Sequence, residues 1–169
     1  MNRAYHPIAL VLLIVLAGCG DVSEQSPGSQ SNTPVQDAVV KAATGAVFVS
    51  QSAGAEQGDA EAQMWRGSMY DMGIGVPRDD VEAVKWYRLA ADQGLAEAQG
   101  MLGAMYLSGE GVPKDYAEAY VWFSVAYAGG SAKDAQIRDR IAKQLTPEQL
   151  SQAQQRATEL FEKIQSSKK

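Results

Sequence analysis

From Ala98 onward the apolar residues Leu102, Met105 and Tyr106 return at i+4, i+7 and i+8, one stripe at helical period. Gly109 and Gly111 come next, where a chain leaving a helix needs backbone angles that other residues resist. Pro113 stops the turn from continuing as helix. Asp115 then offers its carboxylate to the free amides of a new helix, with Glu118 three residues on in a capping-box pattern, so a second helix is predicted over 117–128 and closed by Gly130. The same phrase stands earlier in the chain. Asp79 and Glu82 repeat the cap, and a helix is predicted over 81–92 before Gly94. Alanines at 83, 90, 119 and 126 let neighbouring helices approach closely.

Aligned without a gap, residues 60–95 and 96–131 are identical at 17 of 36 positions. A fixed period of that length indicates a solenoid of stacked supersecondary units, each a helix A followed by a helix B. The stretch "AEAQGMLGAMYLSGEGVPKDYAEAYVWFSVA", residues 96–126, resembles the Sel-one-like repeat, a relative of the tetratricopeptide repeat. The resemblance covers 60–131. It implies an all-α fold, a right-handed superhelical solenoid of antiparallel helix pairs with the A helices lining the concave side.

The flanks fit as partial units. Residues 51–63 echo 88–99, so 37–59 reads as a degenerate half-repeat in which 37–57 is a helix B. Beyond the second repeat, "DAQ" at 134–136 opens another A helix with the stripe Ile137, Ile141 and Leu145. Thr146, Pro147 and Gln149 then predict a capped last helix. Leu150, Ala153, Ala157, Leu160, Phe161 and Ile164 make it amphipathic, as a terminal cap with one wet face over 132–169 should be.

The N-terminus is of another kind. Arg3, an unbroken apolar run from Ile8 to Ala17, and "LAGC" at 16–19 read as a signal peptide over 1–18. "LAGC" resembles the bacterial lipoprotein lipobox, which implies that Cys19, the only cysteine of the chain, carries lipid. Residues 20–36 are rich in Ser and Gln and broken by Pro27 and Pro34, a tether that as a flexible coil spans about 20 to 25 Å. With Gly20 after the cysteine, resemblance to sorted lipoproteins implies an outer-membrane anchor facing the periplasm. The 169 residues suit one domain, with 46% hydrophobic residues to fill it. A net charge of −5, lower still without Arg3, gives no footprint for nucleic acid.

Little in the chain carries chemistry. His6, the single histidine, lies in the signal, so the mature chain is left without imidazole for acid–base work or metal binding, and no metal or cofactor is expected. The near carboxylate pairs, Asp79 with Asp80 and Glu110 with Asp115, involve residues that caps or exposed turns already explain. Trp86 and Trp122, recurring in register, read as core, as do Tyr70 and Tyr106.

A partner is expected where the repeats differ on the A-helix side. That singles out Met64, Trp65, Arg66, Ser68 and Met72 in the first repeat, and Met101, Ala104 and Leu107 in the second. Trp65 is either a partner's anchor or packed on the preceding helix. Arg66, where the second repeat has Leu102, either snorkels at an uncovered end or meets a partner's carboxylate. The expected function is binding without catalysis: a lipid-anchored adaptor or scaffold for an envelope protein or peptide. A binder or modulator of peptidoglycan metabolism is the alternative.

Overall fold

The computed structural model describes residues 52–168. The apolar N-terminal run, Cys19, the tether and the start of the half-repeat over 37–59 lie outside them. Residues 52–56 are helical. Six helices follow, which we number α1 (Ala60–Met72), α2 (Asp80–Asp92), α3 (Ala96–Ser108), α4 (Tyr116–Ala128), α5 (Asp134–Ala142) and α6 (Pro147–Ser167). The two B helices start one residue before the sequence expectation. Helix α1 packs on α2 and α3 on α4, α2 also packs on α3, and α4 touches both α5 and α6. This is the all-helical solenoid of antiparallel pairs that the repeat implied.

The ends of the A helices are built alike. Gly73 and Gly109 take left-handed φ values of 69° and 85°, and their amides donate to the Met69 and Met105 carbonyls. Asp79 and Asp115 cap α2 and α4, each accepting from the two amides of the first turn. The expected capping boxes are only half made there. The Asp79 amide donates instead to the Tyr70 carbonyl and the Asp115 amide to that of Tyr106, both at 2.9 Å, so each cap also ties the turn back to its A helix. Glu82 and Glu118 are left to pair with Lys85 and Arg156. Among the described residues the full reciprocal box forms once, between Thr146 and Gln149 at the start of α6.

Two apolar clusters fill the interior. One holds Met64, Val84, Tyr87, Leu102, Met105 and Trp122, and the other holds Val121, Phe123, Val125, Ile141, Ala153 and Ile164. Tyr106 and Leu160 pack against both and join them. Helix-borne glycines seat the large rings of these clusters. A β-carbon on Gly67 would stand 2.7 Å from the Tyr87 ring, and one on Gly103 would stand 3.0 Å from the Phe123 ring. The leucine-or-arginine–glycine step at the middle of each A helix is therefore a seat for the aromatic residue twenty positions on.

Candidate binding face

The A helices α1 and α3 carry the predicted binding residues, and the structure sorts all of these but Arg66 into three groups. Trp65 and Met72 are exposed, at 51% and 59%, and present large apolar groups to solvent from α1. Met101, Ala104 and Leu107 form the second group and reach the surface of α3, with Ala104 exposed and the other two half-buried. Met64 and Ser68, the third group, are buried and do not face a partner. Met64 belongs to the first core cluster. Ser68 donates to the Met64 carbonyl at 3.2 Å and accepts from the Tyr87 hydroxyl at 3.1 Å.

Arg66 answers its own question within the chain. Its Nη1 donates to a Glu56 carboxylate oxygen at 3.0 Å and to the Ser52 carbonyl at 3.5 Å, and its guanidinium lies 4.1 Å from the centre of the Trp86 ring. It meets a carboxylate, but an intramolecular one. Trp86 is correspondingly only half-buried, unlike Trp122, which is 2% exposed. In the second repeat the guanidinium over the tryptophan comes from Arg88 of the preceding B helix, 5.4 Å from the Trp122 centroid. One repeat earlier, the register of Arg88 is Ser52, which has no cation. Arg66 supplies it from the A helix.

A polar network in the first repeat has an apolar counterpart in the second. Tyr87 donates to Ser68 and approaches an Asp71 carboxylate oxygen at 3.2 Å. Burial pushes the Tyr87 phenol up to about 12, against the hydrogen bond to Ser68. At the same three positions the second repeat has Phe123, Ala104 and Leu107. With the polar groups removed together, the α3 face is apolar where the α1 face is hydrogen-bonded. Taken one by one, Ser68, Ala104 and Leu107 do not disclose that they vary as a set with residue 87 or 123. The thirty-six-residue alignment carries that signal, in columns sixteen and nineteen positions before residue 87 or 123.

Between α3 and α5 this apolar face opens as a cleft of about 240 Å³ lined by Met101, Ala104, Phe123 and Ile137. A second cleft of similar size lies beside Leu107, between Tyr116 and Arg140. Among the described residues no group of three or more His, Cys, Asp or Glu side chains is placed to hold a metal ion.

The Sel1 repeat family matches residues 60–95 and 96–131 of this chain. Among solved structures, a protective antigen of uropathogenic Escherichia coli strains displaying an SLR fold is 32% identical, with a TM-score of 0.66 over 76% of this chain and 30% of the antigen. A Sel1 repeat protein from Oxalobacter formigenes is also 32% identical, with a TM-score of 0.49 over 63% of this chain and 50% of its own. The chain thus spans half or less of the length of these structures. No curated protein matches it. Sel1 repeat proteins generally mediate protein–protein interaction and are typically non-catalytic scaffolds. With their paired helices, glycine-closed turns and register-locked aromatic residues, residues 60–131 of this chain are two Sel1 repeats.

Proposed function

We propose that the chain is a lipid-anchored adaptor that holds a protein partner on the A-helix side of its solenoid. The observation that carries this reading is the pair of large apolar side chains Trp65 and Met72, 51% and 59% exposed on the first turns and last turn of one A helix, with the apolar cleft at Met101 and Ala104 on the next. Exposed aromatic and methionine groups on a rigid helix are effective anchors, because they bury much area at small entropic cost. Family behaviour supports a protein as the ligand. The "LAGC" sequence supports lipid on Cys19, with the periplasmic side of the outer membrane as the destination. Anchor and tether would then act by concentrating the partner at the membrane.

A photo-crosslinking residue at Trp65, and separately at Met101, tests the reading in cells, with Lys85 on a B helix as the control. The expected result is one recurrent protein captured from both A-helix positions and absent from the control. Capture from Lys85 alone, or no protein from either A-helix position in a folded chain, would overturn it. Peptidoglycan fragments recovered at those positions would favour the wall-metabolism alternative.

A further inference from the structure

Asp134 opens α5 and is 3% exposed, and its Oδ2 is buried without a hydrogen-bond partner. The carboxylate lies against Gly100 of α3, where a β-carbon would stand 2.9 Å from Oδ2. In the first repeat Met64 takes that register and fills the core, so only the second repeat leaves the space. Glycine at 100 thus makes room for an acidic oxygen that the fold itself does not satisfy. A buried, unpaired carboxylate oxygen is costly, and the cost is offset when a donor of opposite charge reaches it.

The group lies on the α3–α5 cleft. Met101, Phe123 and Ile137 give the cleft its apolar wall, and Glu97 adds a second carboxylate at its rim. Lys133 is the one cation there and is exposed, and it makes no ion pair with Asp134. A long side chain with an aliphatic stem and a cationic tip matches this arrangement of apolar wall and buried anionic end. Resting on the reading of the A-helix side as a protein-binding face, we propose that this cleft receives a lysine or arginine side chain of the partner, with its charge on Asp134 and its stem on Met101, Phe123 and Ile137.

The test uses the full chain in detergent, labelled with ¹⁵N, and two capped pentapeptides, acetyl-Ala-Leu-Lys-Leu-Ala-amide and the same peptide with Gln in place of Lys. The lysine peptide is expected to shift the amide signals of Gly100, Met101 and Asp134, and the glutamine peptide to bind at least about ten-fold more weakly. Asp134→Asn, of the same shape, should lower affinity for the lysine peptide by a similar factor and leave the melting temperature unchanged or raised. Gly100→Ala, which puts a methyl group against the carboxylate, should also weaken it and serves if the asparagine variant does not fold. Equal binding of the two peptides, no shift at those amides, or full binding to Asp134→Asn would overturn the proposal. Crosslinking keeps it separate from the adaptor reading: a partner captured at Met101 as strongly in Asp134→Asn as in the parent would sink the lysine site and leave the adaptor standing.

Discussion

Gln99 shows most plainly how one residue inherits its surroundings from the other repeat. In the first repeat Gln63 donates to the Ala55 carbonyl and accepts from Gln93 at 2.7 Å. In the second, Gln99 donates to the Ala91 carbonyl, but its buried Oε1 has no donor, because the register of Gln93 is Gly129. Gly129 has a helical φ of −76°, so a side chain there is not strained by the backbone, and its β-carbon would meet the Ala96 methyl at 3.3 Å. We therefore expect Gly129→Gln to stabilise the chain by about 1 kcal/mol in urea unfolding. Gly129→Ala isolates the backbone share, and a glutamine no better than alanine would mean that the donor does not reach Gln99. At Tyr87 the folded phenol is held at about 12, above its unfolded value near 10. The unfolded chain therefore loses its proton first, so this contribution is complete below about pH 10 and is lost as pH rises towards 12. Tyr87→Phe should remove that alkaline slope and cost roughly 1 to 2 kcal/mol at neutral pH, because Ser68 and Asp71 lose their partner. Changing Ser68→Ala and Asp71→Leu as well copies the second repeat and should recover most of that loss in thermal unfolding.

Turns between A and B helices do more than reverse the chain. Gly111 has a φ of 68°, and a β-carbon there would stand 2.1 Å from the Asp80 carbonyl oxygen, so the second repeat's turn rests directly on the start of α2. Arg78, paired with Asp80, also reaches Glu110 at 3.1 Å across the same junction. Gly111→Val should cost well over 1 kcal/mol, since both the backbone angle and the contact forbid it. Gly130 provides the control, with a φ of 108° and nothing within 4 Å of its would-be β-carbon. Gly130→Ala is expected to lower the melting temperature less than Gly111→Val, and the reverse order would show that contact at the junction is unimportant. Because the same turn motif closes α1 and α3, the sequence made the turns visible, whereas the packing of one turn on the neighbouring helix appears only in the fold.

At the scale of the whole chain, α6 closes the stack. Its Ala153, Ala157 and Ile164 are buried in the second cluster, while Leu160 packs against both. Near its end Lys168 donates to the Gly94 carbonyl at 3.3 Å, and Ile164 lies under Gly94, so the last helix reaches back to the end of the first full repeat. Ile164→Ala is expected to cost about 2 to 4 kcal/mol by opening space at that junction, as read from denaturant unfolding. A loss below 1 kcal/mol would mean that α6 is a loosely held cap. The proposed anchor is tested separately: Cys19→Ser should move the chain from the membrane fraction to the soluble one, and continued membrane attachment would count against lipid as the main tether.

The sequence by itself determined the helices, their glycine ends, the aspartate caps and the repeat register, because these depend on local hydrogen bonding and a period of thirty-six residues that a single chain displays. It also placed Trp65, Met72, Met101 and Ala104 on the accessible A-helix side. Only the tertiary structure decided which differences between the repeats are surface and which are compensation. Met64 and Ser68 went inward, and Arg66 turned to Glu56 and Trp86, because each is answered by a residue from another helix. Asp134 gave no signal in sequence beyond the first turn of a helix. Its unpaired oxygen exists because Gly100, thirty-four residues earlier, leaves a gap that only packing brings to it.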